Sequence, residues 1–131
     1  MTNRILRVKI NSKELLLGGF IIKVAVIGSR NLTVRNLKNY LPGEVTEIVS
    51  GGARGIDTCA RNYAFENNLK LKEFLPEYDI YGRGAPLKRN IQIIDYADLV
   101  LAFWDGDSHG TKYVIDQCKK RGKEVKVFIK K

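Results

Sequence analysis

The chain of 131 residues is long enough for one domain and too short for two. Hydrophobic residues at 44% and charged residues at 28%, with only three prolines and twelve glycines, exclude a collagenous or disordered chain. The net charge of +9 is unevenly placed. Arg4, Arg7, Lys9 and Lys13 against Glu14 in residues 1–22, and seven cations against Glu124 in residues 117–131, account for all of it, so the body is neutral. Basic ends of this kind read first as solvated faces and second as a nucleic-acid footprint.

The two cysteines, Cys59 and Cys118, lie far apart without CxxC spacing. This argues against a zinc site or a disulfide framework and points to a reducing compartment. No stretch reaches the roughly 18 apolar residues of a membrane span. The apolar run from Leu15 is interrupted at Lys23, and no small-residue cleavage site follows it. The expectation is a cytoplasmic protein with no membrane partner.

From residue 22 onward, short apolar runs alternate with helix-length amphipathic segments. Residues 23–28, almost unbroken in β-branched character, predict a fully buried first strand. A helix is expected over 34–41, stopped by Pro42-Gly43, then a strand over 46–50 and a helix over 55–68. Residues 71–75 form a third strand closed by Pro76, and 77–85 a loop carrying Tyr78 and Tyr81. Pro86 opens a helix to residue 97 with Leu87, Ile91 and Ile94 on one stripe. The fourth strand spans 98–104, the last helix 111–121 up to Gly122, and the fifth strand 125–129. Five strands separated by four helices predict an α/β, Rossmann-like three-layer fold with a five-stranded parallel sheet of order 3-2-1-4-5. Residues 22–131 form that domain. Residues 1–21 stand outside it, as a hairpin, a disordered arm or an expression remnant.

Ligands of such sheets bind beyond the carboxyl ends of the strands, and three unusual segments fall there. Gly28-Ser29-Arg30 follows strand 1: a sharp turn, a hydroxyl donor and a guanidinium that forks onto phosphate. Ser50-Gly51-Gly52-Ala53-Arg54-Gly55-Ile56-Asp57 follows strand 2 and is the strongest signal. Its glycines expose backbone N–H groups, Gly55 opens a helix whose positive end faces the same space, and Arg54 adds charge. Asp57 either caps that helix or accepts from a ligand hydroxyl. Neither GxGxxG nor GxxxxGK[ST] is present, which disfavours a standard dinucleotide or Walker site. After strand 4, Gly110-Thr111 offers a second helix N-terminus, preceded by Asp105, Asp107 and His109. These supply too few ligands for a metal, and His109 reads as a solvated loop residue. Trp104 either stacks on a base or packs in the core. Either Lys88 or Arg89 reaches the same mouth from the helix before strand 4. No Ser/His/Asp or Cys/His triad is visible.

Together Gly28-Ser29-Arg30, the Ser50–Asp57 run, Arg89-Asn90, Ala97-Asp98 and Ser108-His109-Gly110-Thr111 resemble the SLOG superfamily. That group links DprA-type DNA-processing proteins to the Lonely-guy phosphoribohydrolases, and the nearest likeness is to its YspA/YpsA-related branch. The resemblance covers residues 23–128. It implies a nucleotide-binding fold with phosphate on the second loop and on Gly110-Thr111, no required cofactor, and a homodimer. Arg89 matches the catalytic arginine of the Lonely-guy pattern. The pattern's glutamate does not carry over, because Val114 stands in its place and only Asp57 or Asp116 could substitute. The leading reading is therefore a binder, or sensor, of a nucleotide or nucleotide derivative. The phosphate would be held by Gly28, Ser29, Arg30, Ser50, Gly51, Gly52, Arg54, Gly55, Asp57, Gly110 and Thr111. The alternatives are an N-glycosidic hydrolase of nucleoside monophosphates using Arg89, and a DprA-like module binding single-stranded nucleic acid through its basic termini.

Overall fold

The computed structural model describes residues 21–52 and 54–130. The expectations for residues 1–20 lie outside the described residues. Five strands, β1 (Lys23–Gly28), β2 (Glu47–Ser50), β3 (Lys70–Glu73), β4 (Leu99–Trp104) and β5 (Val125–Ile129), form one parallel sheet of order β3-β2-β1-β4-β5. The helices are α1 (Ile56–Glu66), the single turn α2 (Tyr78–Tyr81), α3 (Ala85–Tyr96) and α4 (His109–Arg121). The expected architecture and strand order are those found.

Alternation along the central strands divides the core between two faces. On one face Val24, Val26, Ile48, Leu101 and Phe103 pack with Ile56, Ala60 and Ala64 of α1. On the other, Ala25, Ile27, Val49 and Val100 pack with Ile93 and Ile94 of α3 and Val114 and Cys118 of α4. Both cysteines are free thiols, and burial pushes the Cys118 thiol up to about 11.

Three local expectations are corrected. The helix expected over 34–41 is only a 3-10 turn, Leu37–Tyr40. Eight residues containing β-branched Val34 and the turn-formers Asn36 and Asn39 do not offset the cost of helix nucleation. Leu37 is nevertheless buried, and Tyr40 packs edge-on against Phe103 and Phe128. The expected loop over 77–85 is α2 followed by a 3-10 turn, Gly82–Gly84, running into α3. The inward stripe of α3 is Ala85, Ile93 and Ile94, while Leu87 is 44% exposed. Leu87 shares the helix face of Ile94, seven residues on, but it stands in the first turn beside the cavity, where it stays open to solvent.

Helix α4 ends at Gly122 in the left-handed conformation, its N–H donated to Cys118 and Lys119 carbonyls. Lys119, Lys120 and Arg121 fill the last turn, where cations favour the helix dipole. Arg121 also reaches Asp95 at 3.0 Å, and Lys130 donates to the Tyr40 hydroxyl. Part of the basic C-terminal end is thus engaged in the fold.

At the end of the sheet opposite the loops, Glu47 is buried and accepts from the Tyr96 hydroxyl, with the Lys70 ammonium 4.0 Å away. Removing the hydroxyl withdraws a donor from a buried carboxylate. Tyr96→Phe is expected to lower stability by about 1–3 kcal/mol in urea denaturation. A change within experimental error would mean that Glu47 is satisfied without it.

Candidate functional site

The loops after β1, β2 and β4 meet the start of α3 around one cavity of about 540 Å³. Close approach of the first two loops depends on Gly55, whose backbone has φ 71° and ψ −119°. A Cβ there would lie 2.5 Å from the Arg30 carbonyl oxygen and 2.8 Å from that of Leu32. At Gly51 a Cβ would lie 2.6 Å from Arg89 Nη1, so the absent side chain is the space the guanidinium occupies.

Arg89 enters from α3. Its Nη1 donates to the Gly51 carbonyl at 2.8 Å and to that of Phe74 at 3.3 Å, and its Nε donates to Asn90 Oδ1 at 2.8 Å. Burial lowers the pKa of this guanidinium, the charge of Asp57 opposes that, and nearby Arg30 adds to it. Arginine keeps its proton nonetheless, so Arg89 is a fixed, half-buried cation. The repulsion between Arg30 and Arg89 is what an anion placed between them would relieve.

Ser29 is buried. Its Oγ accepts from the Asp105 N–H at 3.3 Å and lies 3.5 Å from Thr111 Oγ1, linking the first and third loops. Asp105 Oδ1 accepts the N–H groups of Asp107 and Ser108 at 2.9 and 2.7 Å, and Oδ2 accepts the Ser108 hydroxyl at 2.7 Å. Those bonds, the Ser108 N–H foremost, hold the Asp105 carboxyl down at about 2. Trp104 Nε1 donates to the Ser108 carbonyl at 3.0 Å, fixing the same turn from the end of β4. The turn delivers Gly110 and Thr111, in the first turn of α4, to the cavity, where the helix N–H groups lack intrahelical partners.

A carboxylate whose pKa is lowered on folding stabilises above its ordinary value near 3.8 and loses that contribution as pH falls through about 2. Asp105→Asn is therefore expected to melt at a lower temperature than the wild type at neutral pH, with the gap closing between pH 4 and pH 2. A gap independent of pH would assign Asp105 no such role.

Of the residues singled out from sequence, Gly28, Ser29, Arg30, Gly51, Asp57, Arg89, Gly110 and Thr111 line the cavity. Ser50, Gly52, Arg54 and Gly55 do not. Ser50 is buried and accepts the Gly52 N–H at 3.2 Å, shaping the turn from behind. Gly55 lies beneath the first loop, and Arg54 is exposed. Asp57 is 8% exposed in the first turn of α1, beside Arg89. Lys88 does not reach the mouth; its ammonium lies 5.5 Å over the Tyr81 ring. His109 is exposed but opens α4 rather than lying in a loop. Sequence reasoning missed Asn90, Asp105 and Ser108 as parts of the site. The last two were legible as an Asp three residues before a Ser at a helix start, the spacing of a side-chain turn. Among the described residues no group of three His, Cys, Asp or Glu could hold a metal ion, and no helix is long and apolar enough to cross a membrane.

Residues 20–78 match the family model described as DNA recombination-mediator protein A. The match takes in β1, β2 and the first two loops; Arg89 and the third loop lie beyond it. No curated protein and no solved structure gave a match.

Proposed function

We propose that this chain binds single-stranded nucleic acid, with a phosphate of the strand held in the cavity between Arg30, Arg89 and the first turn of α4. The observation that carries this reading is the convergence of two arginines, Arg30 from the first loop and Arg89 from α3, with the buried hydroxyls of Ser29 and Thr111 on one cavity. Charge-assisted donors to phosphate and a helix N-terminus are the usual means of holding such an anion. The similarity of residues 20–78 to a DNA recombination-mediator family favours a nucleic acid as the source of the phosphate.

A free nucleotide in the same cavity is the second reading. It is favoured by a volume in the range of small-ligand sites and by Asp57, which would accept from a ribose hydroxyl or a base amine. Hydrolysis is the weaker extension of that reading. Asp105 is ionised and occupied by the turn, and Asp116 pairs with Lys112 at 2.8 Å, leaving Asp57 as the remaining acid. Val114, not a carboxylate, lines the cavity from α4. The Lonely-guy and YspA/YpsA-related likenesses therefore enter as fold and phosphate site rather than as chemistry.

Anisotropy of a labelled thymidine oligonucleotide, with thymidine monophosphate as competitor, tests the proposal. Arg30 is exposed, so Arg30→Ala is expected to weaken binding by roughly tenfold or more without moving the unfolding midpoint. Binding that falls steeply with salt yet survives Arg30→Ala would contradict it and move the contact to the basic ends.

A further inference from the structure

Eight large apolar side chains are exposed among the described residues, and five of them, Leu75, Tyr78, Ile80, Tyr81 and Leu87, fall in one short stretch. The helix α2 within it buries none of its residues. Such a cluster on a small domain marks a contact surface rather than incidental exposure. It is continuous with the cavity. Leu87 lines the cavity mouth, and the backbone of neighbouring Phe74 holds the Arg89 guanidinium. Tyr78 and Tyr81, three residues apart on a helical turn, lie on the same side of it.

We propose that the stretch from Leu75 to Leu87 is a nucleobase platform, on which the bases adjoining the pocket-bound phosphate stack against Tyr78 and Tyr81. This rests on the nucleic-acid reading above and extends it from one phosphate to a strand of several nucleotides. The Lys88 ammonium over the Tyr81 ring sets a cation beside a stacking surface, the two groups that one stacked nucleotide engages. Within Leu75–Leu87 the exposed acids Glu77 and Asp79 outnumber Arg83 by one, and the adjoining Lys88 brings the balance to zero, so the platform offers no excess positive charge. Its attraction is stacking, and the electrostatic attraction comes from the pocket. Apart from Leu75 and Tyr78 the cluster lies beyond the residues matched to the DNA recombination-mediator family.

The test is a titration with thymidine monophosphate, a trinucleotide, a hexanucleotide and a hexanucleotide of abasic sites. Affinity is expected to rise by about tenfold or more from monophosphate to hexanucleotide and to drop for the abasic strand. Tyr81→Ala and Tyr78→Ala should each erase about tenfold of the hexanucleotide affinity and leave the monophosphate unchanged. Tyr81→Phe should retain it. The loss should be equal at low and moderate salt, whereas Arg30→Ala should flatten the salt dependence. Equal affinity for monophosphate and hexanucleotide would overturn the platform and leave the pocket reading standing. So would unchanged hexanucleotide binding in both tyrosine variants, and altered self-association in those variants would then assign the surface to a protein partner. Failure of the wild type to bind any thymidylate would overturn both readings together.

Discussion

Gly55→Ala is expected to destabilise the fold by about 3 kcal/mol or more, a large share of a typical domain's stability of about 5–15 kcal/mol. The backbone at Gly55 has φ 71° and ψ −119°, a region costing other residues on the order of 1–3 kcal/mol before any collision. The collision is severe because the nearest atoms are the carbonyl oxygens of Arg30 and Leu32, backbone that cannot rotate aside. Relief would require parting the first two loops, and with them the cavity. Gly43→Ala is the matched control, since nothing lies within 4 Å of its added methyl and its φ is not positive. That change should stay within about 1 kcal/mol of the wild type. Urea denaturation of both variants checks the contrast, and a Gly55→Ala midpoint equal to that of Gly43→Ala would contradict it.

Arg89→Ala is expected to weaken both folding and binding, in contrast to Arg30→Ala. Truncation withdraws the donor from the Gly51 and Phe74 carbonyls and from the Asn90 amide oxygen. It also removes the adjacent cation from buried Asp57. Leaving these groups half-buried without that donor should cost about 2–4 kcal/mol of stability. Ligand affinity should fall by at least tenfold, because the remaining Asp57 charge then repels an anion that Arg89 had balanced. Arg89→Lys restores the charge but not the planar fork, so it should recover only part of each loss. Chemical denaturation and oligonucleotide titration of the three variants separate the roles. Retained stability in Arg89→Ala would mean that the hydrogen bonds to the second loop contribute nothing net.

The sheet was legible because β1 and β4 are near-continuous apolar runs, which few arrangements other than a buried parallel strand accommodate. The loops at the carboxyl ends followed from that topology. Less legible was which cation serves the cavity. Arg54 has the better position in the sequence, inside the glycine run, but does not line the cavity, whereas Arg30 and Arg89 do. Choosing Arg89 over Lys88 depends on the phase of α3, which Ile93 and Ile94 set through tertiary packing. Asp105 shows no metal-ligand spacing, and its role lies instead in the short-range bonds it accepts from Asp107 and Ser108, which build the turn. The tyrosines of α2 looked like loop residues because Gly82 and Gly84 follow them closely.

The central claim is that the cavity, and not the basic ends of the chain, receives the phosphate. Backbone amide shifts of isotope-labelled protein during titration with a thymidine oligonucleotide test it most directly. Saturable shifts at Ser29, Gly51, Gly110 and Thr111, with small changes across residues 119–130, are the predicted result. Shifts confined to that basic C-terminal segment, with the four cavity amides unmoved at saturation, would contradict it.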